Sequence, residues 1–548
     1  MKKILLILIA LLFILGGCKD NKIDDKDDDI PGQNDDDELP VIDDAAVESV
    51  ILFIDMLPDE VVESDRQNII DTRAMYDALT EDEKALVTNL EKLENAEATI
   101  IAIDNHEAKK VAAIEKLQLD LDALVPEMIE NDIELPRYFE TEIGELQVAW
   151  YTNDANTLSN TGKVIPGRRF INVELKSNII YENKTYSSSQ MVTVKPITFD
   201  ALPKSRLSFA YYADWDTSEP FTQEVLDSLD VINYAFATVV NGVVSVGYSQ
   251  KNKILDVRRS GIRVTLCIGG YGAAAVPFSQ ASKTEEGRIK LAKSIVDAVE
   301  EYHFDGADID WEYPGTYPGS DYYISPVEDR QNHALLIKEL HKQLKAKNPD
   351  YILSAAVPAG STSSGFDIPE LNKYLDFFHL MTYDMDASSQ STHHTALYVS
   401  GNTVGNWSVK STVDKYISSG ASKEKLVVGA AFYGREFDLV NASPIMRGNV
   451  KIDGGVYQRR TITYKNIDKY YLSKLGTDVT RYWDSTSYAP YLFNSKTNQV
   501  VVYDDPESIK YKAQYAIETG VAGMMFWEYT QDNGDLLKAI YENLVKGR

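Results

Sequence analysis

Cysteine is nearly absent from this chain, and basic residues are outnumbered by acids. Only Cys18 and Cys267 occur in 548 residues, so neither a disulfide framework nor a CxxC metal site is available. Lys and Arg number 55 against 84 Asp and Glu, which gives a formal net charge of -29. Because a phosphate backbone needs Lys and Arg opposite it, we expect no nucleic acid as a partner.

Long apolar runs are also scarce, and the longest begins the sequence. In "MKKILLILIALLFILGGC" two lysines precede about a dozen apolar residues, which is short for a membrane span but typical of a signal peptide. The ending "LGGC" resembles the lipobox of bacterial lipoproteins, in which Cys18 becomes the lipidated first residue. An ordinary secretion signal with an incidental Cys is the alternative. We therefore expect residues 1–18 to be a lipoprotein signal, and the protein to be lipid-anchored at the outer membrane or surface of a bacterium.

The next segments predict a linker and a helical domain. Residues 19–44 hold twelve acids against three lysines and almost nothing apolar, which is the composition of a solvated, disordered tether. Residues 45–116 show helical periodicity and a T-x-x-E capping box, Thr80 with Glu83. This stretch resembles the small helical spacers of bacterial surface proteins.

The period of the apolar residues changes between 117 and 200. Segments such as "RRFINVELKSNIIY" alternate apolar with polar residues between turn residues, which predicts an antiparallel β-sandwich. The pattern is similar to bacterial immunoglobulin-like modules. Sugar binding by Trp150 or Tyr151 is an alternative to the commoner position of such a Trp in the core.

Residues 204–548 show a different pattern of apolar segments. Eight apolar strands, from "RLSFAYYADW" to "AGMMFWEYT", alternate with helical stretches, and this alternation predicts an α/β fold closed into a (β/α)₈ TIM barrel. One interval, about 438–500, is too long for a βα loop and is rich in Tyr and β-branched residues. We expect it to form an inserted α+β subdomain beside the barrel mouth. The whole chain is therefore predicted to be multidomain.

Three acids with two-residue spacing mark the fourth predicted barrel strand. In "FDGADIDWEYP", Asp308, Asp310 and Glu312 would lie on one face of the strand, near its C-terminal end. Carboxylates this close cannot all ionise cheaply, so one pKa should rise and supply an acid near neutral pH, as glycosidic bond cleavage requires. Ligation of a hard divalent cation and the wet face of an edge strand are the alternatives. If the strand is central in a parallel sheet, both of its faces are buried, and the solvent-exposed alternative is excluded.

These residues and five further segments resemble one family. The sequence D-G-x-D-x-D-x-E, Asp305 to Glu312, is similar to the signature of family 18 glycoside hydrolases, the chitinases. "YAFA" at 234–237, "IGG" at 268–270, "MTYD" at 381–384, "FYGR" at 432–435 and "MMFWEY" around Trp527 follow the family's order. The long insertion resembles the α+β chitinase insertion domain.

The resemblance implies a substrate-assisted mechanism with retention of configuration. Glu312 would be general acid and then base, Asp310 would hold the substrate's acetamido N–H, and Asp308 would exchange a proton with Asp310. Tyr383 would orient the acetamido carbonyl. No metal and no organic cofactor is needed, and we expect a monomer. The resemblance implies a substrate pocket formed by Tyr211, Phe236, Gly270, Tyr271, Tyr313, Met381, Asp384, Tyr433, Arg435 and Trp527.

The expected activity is hydrolysis of β-1,4 linkages between N-acetylglucosamine units in chitin or its oligomers. Two alternatives remain: an endo-β-N-acetylglucosaminidase acting on N-glycans, and a glycan-binding lectin on an inactive barrel. Glu312 argues against the lectin, because family members that only bind usually lack the acid. The sequence departs from the family at Cys267, where relatives often carry a Ser that would support Asp308 better, and at Tyr271, where many have Trp.

Overall fold

The computed structural model describes residues 42–216, 219–247, 249, 251–316, 325–441, 444 and 446–548. The predicted signal with Cys18, and nearly all of the predicted linker, lie outside these residues. Within the described part of the chain, no helix is both long enough and apolar enough to cross a membrane. The chain divides into two compact units between Ala112 and Ala113.

The first unit is helical. Its core contains Val50, Ile54 and Leu93, all nearly inaccessible to solvent. The capping box is confirmed: the Glu83 amide donates to Thr80 Oγ1 at 3.4 Å, and the Thr80 amide donates to Glu83 Oε2 at 2.8 Å. The helices are α1 (Asp44–Asp55), α2 (Arg66–Asp77), α3 (Glu81–Lys84) and α4 (Leu90–Leu124), which continues into the second unit.

A single five-stranded sheet opens the second unit. Its strand order is β1-β5-β4-β3-β2, antiparallel except for the β1–β5 pair. Trp150 is buried and donates its indole N–H to Pro136 O at 2.8 Å, which is a core role. The strands are β1 (Met128–Ile129), β2 (Tyr138–Thr141), β3 (Gly144–Thr152), β4 (Ile171–Tyr181) and β5 (Lys184–Val194).

The predicted sandwich over 117–200 is therefore wrong. All of these residues are described, and they form one sheet whose apolar face packs against Ile114, Leu117 and Leu121 of α4. The helix also runs eight residues past the predicted boundary at 116, to Leu124. Alternation in a strand shows only that one face is buried, and a helix covers that face as well as a second sheet does.

The predicted closed barrel is confirmed. Eight parallel strands pair in the order β6-β21-β13-β12-β11-β10-β9-β7, and pairing between β6 and β7 closes the ring. A short strand, β8, pairs antiparallel with the end of β7. The strands up to the insertion are β6 (Leu207–Ala213), β7 (Val231–Val240), β8 (Val243–Ser245), β9 (Arg263–Tyr271), β10 (Gly306–Glu312), β11 (Ile352–Pro358), β12 (Phe377–Met381) and β13 (Leu426–Ala431).

Helices alternate with these strands and cover the outside of the barrel. Residues such as Ile309 and Trp311 of β10 point outward into the apolar layer between strands and helices. The helices are α5 (Gln223–Leu226), α6 (Lys251–Arg259), α7 (Ala275–Ser282), α8 (Glu285–Glu301), α9 (Asp329–Lys347), α10 (Ile368–Leu371) and α11 (Val409–Ser418).

The insertion is longer than the predicted 438–500: it begins with β14 at Tyr433, ends with β20 at Val502, and forms a five-stranded antiparallel sheet in the order β17-β14-β20-β19-β18, with one helix and a small hairpin. Its elements are β14 (Tyr433–Asp438), β15 (Ile452–Asp453), β16 (Val456–Tyr457), β17 (Arg459–Thr463), α12 (Tyr464–Tyr470), β18 (Val479–Asp484), β19 (Ala489–Asn494) and β20 (Gln499–Val502). The chain returns to the barrel through α13 (Pro506–Thr519), β21 (Gly523–Trp527) and α14 (Asp535–Ile540).

Candidate active site

A cavity of about 640 Å³ opens at the C-terminal ends of the barrel strands. Residues at the ends of β10, β12 and β21 line it, and the insertion contributes one wall. Parallel strands deliver their last residues to one rim, so side chains distant in sequence converge there. The lining includes Tyr211, Phe236, Tyr271, Asp310, Glu312, Tyr313, Gly360, Met381, Tyr383, Asp384, Trp407, Tyr433, Arg435, Arg459 and Trp527.

The three acids of β10 face the barrel interior. Every residue of β10 is buried, and the strand lies between β9 and β11. The wet edge-strand alternative is therefore wrong. Asp308 is deepest, below the cavity, whereas Asp310 and Glu312 line it.

Asp308 is surrounded by hydrogen-bond donors. Tyr211 donates to its Oδ2 at 2.8 Å, Ser354 donates to its Oδ1 at 2.6 Å, and Cys267 Sγ lies 3.2 Å from Oδ2. The Nδ1 atom of His379 lies 3.3 Å from Oδ1. Burial raises the pKa of Asp308, but the charge of His379 and the hydrogen bonds outweigh it and lower the pKa below its ordinary value. Asp308 is therefore ionised.

The other two acids hold their protons more firmly. Burial, together with the charges of Glu312 and Asp308, raises the pKa of Asp310 well above its ordinary value. Burial also raises the pKa of Glu312 to about 7; the charge of Asp384 adds to this, while hydrogen bonds with Tyr313 and Asp310 oppose it. The three neighbouring carboxyls thus differ in how firmly they hold a proton: Asp308 gives up its proton most readily, whereas Asp310 and Glu312 keep theirs to higher pH, and Glu312 ionises near pH 7.

Aromatic rings form the base and one side of the cavity. Phe236 stacks on Trp527 with ring centroids 5.5 Å apart, and Trp215 stacks on Phe236 with centroids 6.1 Å apart. Tyr211 packs against Trp527 at 5.6 Å. A continuous apolar strip therefore runs from the buried Tyr211 to Trp215, whose side chain is 64% exposed.

Paired charges form the rim on the insertion side. Arg435 of β14 forms an ion pair with Asp384, which follows β12. Arg459 of β17 donates to Asp386 at 2.6 Å. These pairs join the loop after β12 to the insertion, so the insertion fixes the side chains at this edge of the cavity.

The structure brings nearly all the predicted site residues to this cavity. Tyr383 is buried in its wall, and the phenol lies 4.0 Å from Met525 Sδ. Two residues are exceptions: Asp308 lies below the cavity, and Gly270 lies beneath Phe236, whose ring is 3.3 Å from where a Cβ on Gly270 would stand. Asp305, the first acid of the signature, lies at the opposite end of β10 and pairs with Arg258 at 3.0 Å.

Sequence reasoning missed several residues of the site, four of which carry polar or aromatic groups that bear on its chemistry. Ser354 and His379 are single polar residues within apolar barrel strands, and that isolation was a usable signal. Trp407 and Arg459 come from the loop before α11 and from the insertion, and only the tertiary structure places them at the cavity. Among the described residues, no group of three or more His, Cys, Asp or Glu side chains has the arrangement of a metal site.

The arrangement suits acid-assisted cleavage of a bond to oxygen. Glu312 can release a proton to a leaving oxygen near neutral pH, because its pKa lies near 7. The aromatic strip offers faces that match the apolar C–H face of a sugar ring, and polar groups surround it to bind hydroxyl and amide groups.

Comparison with known proteins agrees with this geometry. The family described as "Glycosyl hydrolases family 18" matches residues 208–532. The chain is 29% identical over 307 residues to chitinase A1 of Niallia circulans, covering 53% of this chain and 43% of that protein. It is 31% identical over 300 residues to a probable endochitinase of Caenorhabditis elegans, covering 52% and 46%. The chain thus spans less than half the length of either relative.

Among solved structures, one similar to this chain is a family 18 N-acetylglucosaminidase from Paenibacillus barengoltzii. The two share 33% sequence identity with a TM-score of 0.56, and the match covers 62% of this chain and 99% of that one.

Proposed function

This chain belongs to the family 18 glycosyl hydrolases, and from that premise we propose that it hydrolyses β-1,4 linkages between N-acetylglucosamine units in chitin or chitooligosaccharides. The observation that carries the proposal is Glu312, a buried carboxyl with a pKa of about 7 beside Asp310, whose pKa is also raised. A glycosidase needs such an acid at neutral pH to protonate the leaving oxygen.

In the first step the substrate's own 2-acetamido oxygen attacks the anomeric carbon. The glycosidic C–O bond breaks as Glu312 transfers its proton to the leaving oxygen, and an oxazolinium ion forms. Asp310 passes its proton to the Asp308 carboxylate beneath it, and the resulting Asp310 carboxylate accepts a hydrogen bond from the acetamido N–H and offsets the positive charge of the ion. Asp308 can take this proton because its hydrogen-bond donors keep it ionised before the step.

In the second step Glu312 acts as a base. It removes a proton from water, the water oxygen attacks the anomeric carbon from the face that the leaving group vacated, and the oxazolinium ring opens. The configuration is retained and Glu312 regains its proton.

Tyr383 and Trp527 position the reacting sugar. The Tyr383 hydroxyl donates to the acetamido carbonyl oxygen, which holds that oxygen in line for attack. Burial raises the pKa of Tyr383 well above its usual value, so the phenol keeps the proton that it donates. Trp527, at the base of the cavity, packs its ring against the apolar face of the sugar.

Replacing the acid tests the proposal. Glu312→Gln keeps the shape of the side chain but has no proton to transfer, so we expect a loss of kcat of at least about 10³-fold on chitohexaose. Binding of chitohexaose, measured by calorimetry, should persist. A purified wild-type protein that binds but leaves chitohexaose uncut would contradict the proposal and support a lectin.

The product profile distinguishes the remaining substrate class. Chitohexaose and a high-mannose glycoprotein are each incubated with the wild-type protein, and the released sugars are identified by mass spectrometry. Cleavage of chitohexaose alone supports the proposal. Release of intact N-glycans with no action on chitohexaose contradicts it in favour of an endo-β-N-acetylglucosaminidase.

We also propose that the enzyme is displayed at the cell envelope through lipid on Cys18. The lipobox-like "LGGC" and the acidic segment after it support this. Cys18→Ser should move the protein from the membrane fraction to the medium or periplasm and abolish labelling with radioactive palmitate. Unchanged fractionation would contradict it.

A further inference from the structure

Trp407 lies at the cavity although no sequence motif includes it. It is half-buried, in the loop between β12 and α11, and shares its wall with Pro358, which ends β11, and with Gly360 in the following loop. A large aromatic side chain at a polar cavity rim needs a reason, because its apolar area would be better buried.

This wall is held rigidly. The six-membered ring of Trp407 rests on Gly360, where an added Cβ would stand only 3.2 Å away. Tyr416 of α11 donates to Pro358 O at 3.0 Å, and Lys415 donates to Gly360 O at 3.3 Å. Ser408 caps α11 directly after the indole. The ring is therefore preorganised, which lowers the entropic cost of binding against it.

The wall faces the aromatic strip across the barrel mouth. Trp527 ends β21, Phe236 lies on β7 and Trp215 follows β6, three strands that are neighbours in the ring. The loops after β11 and β12 lie on the opposite arc of the same ring. Glu312 ends β10, directly beside β11.

That order gives a direction to a bound sugar chain. With the cleaved sugar over Trp527 and Glu312 protonating the leaving oxygen, the departing sugar must extend from Glu312 away from the strip. It then reaches the β11–β12 wall. We propose that Trp407 is the platform for the departing N-acetylglucosamine unit, whose apolar C–H face packs on the indole. This rests on the proposed function and adds a specificity-determining residue to it.

The test compares two substrates with different leaving groups. The leaving group of chitohexaose is a sugar chain, which should pack on Trp407. The leaving group of β-chitobiosyl fluoride is a fluoride ion, which should not contact Trp407. For Trp407→Ala we expect kcat/KM on chitohexaose to fall about tenfold, and on the fluoride to stay within about twofold of wild type. Trp407→Phe, which keeps a ring, should restore most of the chitohexaose activity.

Two results would overturn the platform. If Trp407→Ala lowers kcat/KM equally on both substrates, Trp407 only supports the structure of the loop. If the variant keeps the wild-type kcat/KM on both, Trp407 takes no part in substrate binding. A wild-type protein that turns over neither substrate would instead overturn the proposed function. Unchanged turnover of the fluoride also shows that the variant is folded.

Discussion

The three carboxyls of β10 share one strand but not one environment. Asp308 receives hydrogen bonds from Tyr211 and Ser354, whereas an oxygen of Asp310 is buried with no partner at all. A buried carboxylate without donors is costly, so protons accumulate at Asp310 and charge at Asp308. The neighbours, rather than the two-residue spacing, set which acid is ionised.

The alkaline limit of activity should follow the proton on Glu312. Its raised pKa of about 7 means that the acid form is present below that pH and is lost as pH rises through it. Asp384→Asn removes a negative charge that raises this pKa, so the alkaline limb of kcat/KM should move to lower pH, by on the order of one unit.

The control for this profile is Asp438→Asn. Asp438 also pairs with an arginine of the insertion, Arg460, at 3.0 Å, but it does not line the cavity. Its alkaline limb should match that of the wild type. If the alkaline limb of kcat/KM is the same in Asp384→Asn as in the wild type, the charge of Asp384 does not set the pKa of Glu312.

The acid side of the profile should depend on His379. Its charge lowers the pKa of Asp308, so Asp308 stays ionised as the pH falls. His379→Asn should raise that pKa, and the acid limb of kcat/KM should move to higher pH, with activity at pH 7 changed less than about threefold. His333→Asn is the control, because His333 is buried outside the barrel against Trp311. Equal acid limbs in the wild type and His379→Asn would contradict this role.

The pairing of β9 with β10 depends on close backbone approach. Gly269 has a φ of +124°, and a Cβ there would stand 2.0 Å from the carbonyl oxygen of Asp310. A side chain at this position would push β10 away and displace the carboxyl beside it. The strand pair thus requires glycine at the level of the catalytic acids.

Gly269→Ala should therefore be costly in both stability and activity. We expect a loss of about 3 kcal/mol or more from the backbone strain and the overlap, measured by urea unfolding, and a large fall in kcat. Gly272→Ala is matched to it: φ is +78° and no atom lies within 4 Å, so the loss should be about 1 kcal/mol. Equal losses would mean that the contact with Asp310 is irrelevant.

The five-stranded sheet and the barrel join at the end of the barrel away from the cavity. Arg258 of α6 donates to Pro166 O at 2.7 Å and pairs with Asp305 at the start of β10. Glu312 lies seven positions after Asp305 along the strand, about 23 Å at the usual rise. The sheet can therefore be attached firmly while the catalytic mouth stays open to a polymer.

Breaking this junction should destabilise the second unit. Arg258 and Asp305 are both almost fully buried, so Arg258→Leu leaves the Asp305 carboxylate only its longer pair with Arg168, at 3.7 Å, and should cost about 3 kcal/mol in urea unfolding. Arg259→Leu, which removes the neighbouring, partly exposed pair with Asp132, should cost less than about 1 kcal/mol. A similar cost for both variants would refute a buried, energetically important junction.

Local patterns were sufficient for the barrel, the capping box and the inward face of β10. Eight strands that alternate with helices commonly close into a (β/α)₈ barrel, so the alternation was enough to predict the fold. A two-residue period puts every second side chain of a strand on one face, so the spacing was enough to predict the inward face of β10. Tertiary structure alone decided what covers the 117–200 sheet. A half-buried strand shows the same alternation of apolar and polar residues whether a helix or a second sheet covers its apolar face. It also decided which acid holds the proton and that Trp407 reaches the cavity. Protonation follows from donors such as Ser354 and His379 on other strands, and Trp407 is placed by a loop whose course depends on packing rather than on its own sequence.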